Sequence, residues 1–324
     1  MSGTAEREPI VHARDSQRPL MRWVIPLLCL MVMGAAWGGN TAIAKIATLA
    51  GAPALGLILL EGIGSGLIIL VLCIATRRLP PLSRTHLAFY AIAGVVGLML
   101  PGAVIFWIAP HIPVGILALL FTLVPMMTYG VSLLFAIERL VWIRVLGLVI
   151  GLVGTVLVIV PGASLPGSDM VGWTLIGLSA PALYALQNAY IARYWPGGAD
   201  PLSISCGTMI GGGVVFLPIV FIAGEEMTLM PPWETAEWAA VAMLTVNAFA
   251  MAIFIWLLRF AGPVFASQTA YFVTLWGIFW GMVIYDEQHS VFVWLAALLL
   301  FMGVALVTFG ERLTQRFRRL PPAA

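Results

Sequence analysis

Ten apolar runs, each near the ~20 residues that carry an α-helix across a hydrocarbon layer, account for most of this 324-residue chain. They fall at residues 23–45, 55–75, 86–108, 113–136, 142–161, 170–192, 202–223, 236–258, 263–284 and 290–309. Charged residues make up 9% of the chain, against about 25% in a water-soluble globule, so the apolar side chains have to face lipid. The runs are continuously apolar rather than alternating, which selects helices over barrel strands of about ten residues. The expected fold is an all-α polytopic membrane protein with ten transmembrane helices.

The basic residues orient it. With the polar 1–22 segment placed in the cytoplasm, fifteen of the sixteen Lys and Arg fall on the inner side, from Arg7, Arg14, Arg18 and Arg22 through Arg77, Arg78, Arg84, Arg139, Arg144, Arg193 and Arg259 to the basic 310–324 tail. Lys45 alone lies at an outer end, where the connections carry Asp169, Glu225, Glu226, Glu234, Glu237, Asp286 and Glu287. Both termini are then cytoplasmic. The basic start followed by residues 23–36 imitates a signal peptide, but cleavage would remove half of an internal repeat.

That repeat is the second constraint. Asn40, Ile43, Ala44, Lys45 and Pro53 have counterparts 148 positions later in Asn188, Ile191, Ala192, Arg193 and Pro201, while Glu138 and Gly154 lie 149 residues before Glu287 and Gly303. The chain reads as a first five-helix repeat, 23–161, and a second, 162–309. Five is odd, so the second copy enters the membrane from the opposite side, and the halves are inverted. Inverted repeats are a common scaffold of secondary transporters, because two similar halves can exchange inward and outward openings around one midplane site.

Polar residues inside the runs are the candidates for that site. Asn40 is costly in lipid and should face the bundle, sharing a helix face with Trp37 beside Gly38 and Gly39; an interhelical hydrogen bond and a substrate contact are both open to it. The sixth span repeats the theme with Tyr184 and Asn188, where Pro181 opens the backbone. The eighth and ninth spans offer Asn247, Gln268, Tyr271 and Trp280, and Trp107 ends the third. Such a mixture of amides and rings suits an amphipathic organic solute. Glu61 is the one acid well inside a span, a candidate for coupling to a proton or cation, or else a carboxylate paired with Lys45 or a tryptophan donor. Thr122, Pro125 and Tyr129 share a face on the fourth span, with Pro125 a candidate hinge like Pro181. His111 sits between two prolines and reads as structural.

Other classes lack their signals. Cys29, Cys73 and Cys206 are few and widely spaced, indicating neither a disulfide framework nor a metal cluster. Metalloprotease, phosphate-loop and nucleophile-elbow motifs are missing, so no enzyme activity and no cofactor is expected. The net charge of +2 is no nucleic-acid signal; the expected partners are the lipid bilayer and a small-molecule substrate.

The segments AAWGGNTAIAK (35–45), LLFTLVPMMTYGVSLLFAIERL (119–140), GLVIGLVGTVLVI (147–159), AGPVFASQTAYFVTLWGIFWGMVIYDE (261–287) and MGVALVTF (302–309) resemble the first, fourth, fifth, ninth and tenth spans of the drug/metabolite transporter superfamily, especially its EamA-type exporters. Within it the chain looks most like the YddG-type exporters of aromatic amino acids. That resemblance implies a ten-helix fold, a cavity formed by both halves, and export across the bacterial cytoplasmic (inner) membrane by alternating access. Two positions depart from the pattern: Glu61 stands where many relatives carry a basic residue, and Thr274-Leu275-Trp276 where a proline is often found. The leading expectation is an exporter of aromatic or hydrophobic amino acids and related small metabolites, working by facilitated diffusion or exchange. A proton-coupled exporter of amphipathic drugs is the alternative, and a receptor or scaffold without flux the different-class one.

Overall fold

A computed structural model describes residues 19–159 and 169–318. Most of the expected N-terminal tail, the expected boundary between halves at 161/162 and the last residues of the C-terminal tail lie outside the described residues.

Among the described residues, all regular structure is helical. In chain order the elements are α1 (Pro19–Leu49), α2 (Ala54–Ala75), α3 (Arg84–Gly94), a π-helical turn (Val95–Met99), α4 (Leu100–Ile108), α5 (Val114–Leu120), a 3-10 turn (Phe121–Leu123) and α6 (Val124–Leu134). They continue with α7 (Trp142–Ile159), α8 (Met170–Gly177), α9 (Ser179–Tyr194), α10 (Pro201–Ala223), α11 (Thr235–Ala261), α12 (Pro263–Ala266), α13 (Thr269–Tyr285) and α14 (Val291–Arg318). Seven helical segments are long and apolar enough to cross a membrane: Val24–Leu49, Ala54–Ala75, Arg84–Ile108, Val114–Leu134, Met170–Tyr194, Pro201–Ala223 and Thr235–Ala261. Three shorter apolar helices, Trp142–Gly154, Thr269–Tyr285 and Val291–Gly303, occupy the places of the fifth, ninth and tenth expected runs. The first run continues four residues past its expected end, to Leu49, and the last helix runs through 310–318, which the sequence assigned to the tail.

Local chemistry accounts for the ends and the breaks. Asp200 accepts from the amides of Leu202 (2.9 Å) and Ser203 (3.4 Å) ahead of Pro201, and Gly224 closes α10 with φ +65°. Glu234 and Glu237 form a reciprocal box at the start of α11. The π-turn precedes Pro101 and the 3-10 turn precedes Pro125, while Pro181 follows the α8/α9 junction at Leu178. Each proline lacks the N–H that its carbonyl one turn earlier would receive, so the helix changes winding there.

Packing follows a paired plan: α1 lies on α11 and α13, as α9 lies on α4 and α6; α2 meets α11, as α10 meets α3; and α2/α10, α5/α13 and α7/α14 pack against each other. A large core joins α1, α2, α4, α10 and α11 through residues such as Met33, Leu57, Ile69, Phe216 and Ile255. A smaller one joins α5, α6, α13 and α14. Leu27, Val71, Ile74, Val156, Ile222 and Phe249 are exposed on the periphery, as a lipid-facing surface requires.

Glycines set the closest crossings. A side chain on Gly94 would run into the Thr208 carbonyl and the Gly212 backbone, so α3 and α10 touch backbone to backbone. Gly94→Leu should therefore destabilise the protein by the ~1–3 kcal/mol typical of overpacking, read as a lowered thermal unfolding midpoint in detergent. Gly172→Leu, which meets open space, should leave that midpoint unchanged or raised.

Candidate functional site

A cavity of about 120 Å³ lies at the centre of the bundle, where the helix breaks converge. It is walled by α1 (Trp37, Asn40, Thr41), α2 (Ile58, Glu61), the π-turn and α4 (Gly97, Phe106), α9 (Tyr184, Gln187, Asn188), α11 (Asn247, Met251, Phe254) and the Ala266–Ala270 corner. Of the residues singled out from sequence, Asn40, Glu61, Tyr184, Asn188 and Asn247 all meet here.

Several wall positions share the spacing of the repeat expected from the sequence. Asn40 and Asn188 are 148 residues apart, as are Phe106 and Phe254, while Val124 and Val273, also in the wall, are 149 apart. Each such pair joins one residue of the expected first repeat and one of the expected second.

The polar groups form a short set of contacts. Glu61 is 5% exposed, and its Oε1 accepts from Asn40 Nδ2 at 2.6 Å; its partner is this amide and not Lys45. The Trp37 indole donates to Asn247 Oδ1 at 2.9 Å, and Asn188 Nδ2 to Thr128 Oγ1 at 3.2 Å. Gln187 Nε2 reaches the Ala93 carbonyl at 3.1 Å, just before the π-turn. Left without partners in the buried wall are Asn40 Oδ1, Asn188 Oδ1 and Asn247 Nδ2. Among the described residues, the cavity wall contains no Lys, Arg or His, and Glu61 is its one carboxyl group.

Other expected contacts lie elsewhere. Trp107 is turned outward, 54% exposed, with its edge against Trp173 at 5.4 Å; the neighbouring Phe106 faces the cavity instead. Gln268 is buried but outside the wall, which takes Ser267 and Thr269 on either side of it. Tyr271 packs against Phe301 (5.6 Å) in the α13/α14 core, and Trp280 lies further along α13 beside Phe279 (5.3 Å). Tyr129 ties a turn together, donating to the Arg139 carbonyl (3.0 Å) and accepting from the Val141 amide (2.9 Å). His111 stacks on Trp173 at 3.9 Å, a packing role. Pro125 and Pro181 both stand beside changes of winding, in helices that line the cavity. Among the described residues, no group of three or more His, Cys, Asp or Glu side chains is arranged to hold a metal.

A second constellation closes the end of the bundle that carries Lys45. Glu287 accepts from the amides of Val114 (2.6 Å) and Gly115 (2.9 Å), which open α5. Lys45 Nζ donates to the Ile112 carbonyl at 3.0 Å and stands 3.9 Å from Glu287 Oε1, while Tyr285 donates to the Ala42 carbonyl at 2.9 Å. Together they fasten α1, the α4/α5 turn and the end of α13. The related Glu138 sits in a similarly built turn, its amide bonding Ser132 O at 3.2 Å as that of Glu287 bonds Gly281 O at 3.2 Å. Its carboxylate, however, accepts from Arg144 at 3.0 Å. Arg193, the counterpart of Lys45, lies 5.4 Å from the ring of Tyr194. The two related ends are therefore built alike and fastened differently.

His289 lies 3.6 Å from Glu287. Burial pushes its imidazole below the ordinary histidine value, and the Glu287 charge only partly offsets this. The unfolded chain takes up that proton more readily, so stability is lost as pH falls through the ordinary histidine range. His289→Gln should reduce the drop in unfolding midpoint between about pH 7.5 and pH 5.5; an equal drop in both proteins would refute this assignment.

Compared with known proteins, the chain matches the model of the EamA-like transporter family over residues 24–160 and again over 171–309. It is 29% identical over 307 residues to YedA, an uncharacterized inner membrane transporter of Escherichia coli K12, covering 90% of this chain and 94% of that relative. YedA of Escherichia coli O157:H7 matches to the same extent. A solved crystal structure aligns with a TM-score of 0.60 over 92% of this chain and 99% of its own, at 19% identity, a likeness of fold alone.

Proposed function

Because the chain belongs to the EamA-like transporter family, and is accordingly a transport protein rather than an enzyme, we propose that it exports aromatic or hydrophobic amino acids and related small metabolites through the central cavity. Its setting would be the bacterial inner membrane, in line with the printed description of YedA. The observation that carries the reading is the cavity itself, buried at the meeting of both halves and walled by rings and a few amides. At about 30 Å³ of liquid volume per water it has room for about four waters, the scale of a small solute rather than a large drug.

Ten spans in two inverted halves remain our reading of the topology, with both termini cytoplasmic. The double match of one family model and the paired packing of the helices support it. In this reading the asymmetry of the two ends is the mark of alternating access. The Glu287 fastening closes the outer end, and Glu138 with Arg193 would form its counterpart at the inner end when the outer one opens. A cysteine at Thr41, in the cavity wall, reports on this. Labelling by an external membrane-impermeant maleimide, above the background of the three native cysteines, should speed up several-fold with Glu287→Gln, on the scale of about 1 kcal/mol of bias between states, and slow with Glu138→Gln. An unchanged rate for Glu287→Gln would sink the latch.

Glu61 lines the same cavity, which gives proton-coupled export of amphipathic drugs a residue to act through and makes it the second reading. Purified protein in liposomes distinguishes the two. Saturable uptake and counterflow of phenylalanine, tryptophan or leucine that persists without a pH gradient is the expected result. Movement of a cationic drug alone, and only with the gradient, would replace the proposal by the second reading.

A further inference from the structure

The unpartnered groups in the cavity differ in kind. α1 and α2 bring together Glu61 and Asn40. Glu61 uses one carboxylate oxygen on Asn40, no cation lines the cavity, and Lys45 is committed to Ile112 and Glu287. Asn40 presents its Oδ1, buried and without a partner. Its orientation follows from that hydrogen bond, in which Nδ2 donates to the Glu61 oxygen and leaves Oδ1 to the cavity.

From α11 comes a single donor. The Trp37 indole only donates, so Asn247 must turn its oxygen toward the ring and its unpartnered Nδ2 to the cavity. The rings of Phe106, Phe254 and Tyr184 line the same cavity.

We infer that the cavity holds its solute by an ammonium group, at a subsite made by Glu61 and Asn40, and that its preferred solutes are primary amines on an aromatic or aliphatic body that carries no carboxylate. This rests on the transport reading of the same cavity and narrows it. A primary ammonium supplies the charge-assisted hydrogen bonds that the Glu61 carboxylate and the Asn40 oxygen lack, and the ring faces favour a nearby cation further. The carboxylate of an amino acid sits on the carbon that bears the ammonium, so it is brought beside Glu61 and finds at most one neutral amide donor and no positive charge, which repays little of its dehydration. An amide or hydroxyl in its place carries no charge to be repelled and is satisfied by a single donor. Amino acids are thus the weaker members of the set, and their amides and decarboxylated amines the stronger.

The test measures binding of phenethylamine, phenylalaninamide, phenylalanine and 3-phenylpropionate to the purified full chain by calorimetric titration, together with flux of each in liposomes. The two carboxylate-free amines should bind roughly tenfold or more tighter than phenylalanine, and 3-phenylpropionate should bind weakest. Glu61→Gln should weaken phenethylamine by a similar factor, with unfolding midpoint and elution profile retained. Equal affinities for 3-phenylpropionate and phenethylamine, or native phenethylamine affinity in Glu61→Gln, would overturn the subsite. If Glu61→Gln fails to fold, Asn247→Asp carries the test. It should widen the preference for phenethylamine over phenylalanine several-fold, because its carboxylate repels the acid end, and an unchanged preference overturns the proposal. Glu61-dependent amine binding without any flux would leave the subsite standing and defeat the transport reading. Flux of amines and acids alike would do the reverse.

Discussion

A backbone carbonyl in hydrocarbon has no water to turn to, so every interruption of a membrane helix must be repaired from within the protein. This constraint decides where the chain can be irregular. The breaks before Pro101 and Pro125 and around Pro181 all fall in helices that line the central cavity, and neighbouring side chains serve the carbonyls beside them. Gln187 donates to Ala93 ahead of the π-turn, and the Thr274 hydroxyl stands 2.8 Å from the Ala118 carbonyl ahead of the 3-10 turn and 2.8 Å from that of Ala270, its one proton shared between them. The repair groups come from other helices, so the same bonds that make the breaks tolerable tie the bundle together around them.

The breaks also separate two jobs. The regular parts of the helices pack by close approach, as at Gly94 and Gly212, and such contacts resist change because a well-packed crossing has few alternatives. The breaks and the helix ends carry the contacts that can be exchanged. Glu287 reaches the α5 amides across the bundle, whereas Glu138, in its matching turn, stays with Arg144. Two turns of one construction with different partners supply the discrete arrangements that a two-state device needs.

Asn40, Asn188, Asn247 and Glu61 were legible in the sequence because a polar group in an apolar run is expensive unless something within the bundle answers it. The miss at Trp107 has a definite cause. A π-turn spends an extra residue on one turn, so the helical phase beyond Met99 advances by a residue and Phe106 faces inward; its spacing of 148 from Phe254 was the available signal. Gln268 fails similarly, since the corner between α12 and α13 breaks the periodicity and offers Ser267 and Thr269 instead. Lys45 and Asn40 are five residues apart on one helix, roughly 140° in rotation, which explains why the lysine serves the bundle end while the amide serves Glu61. Trp37 was visible as a neighbour of Asn40, but its indole bond spans 210 residues to Asn247, a pairing that helix periodicity alone has no means to specify.

The unpartnered cavity amides also connect stability to occupancy. A buried polar group without a partner costs about 1–3 kcal/mol, so the cavity-facing groups of Asn40, Asn188 and Asn247 call for an answering group. A solute that answers them recovers part of that cost on binding and stabilises the fold by mass action. The recovery has to stay partial for transport to continue. A solute bound with all of the available free energy in one state would be held there, because a ligand shifts a conformational equilibrium only by its difference in affinity between states. A cavity of neutral amides around a single carboxyl is suited to this compromise. It offers enough polarity to orient a solute in an apolar surrounding, while most of its wall remains rings and aliphatic carbon that let the solute leave.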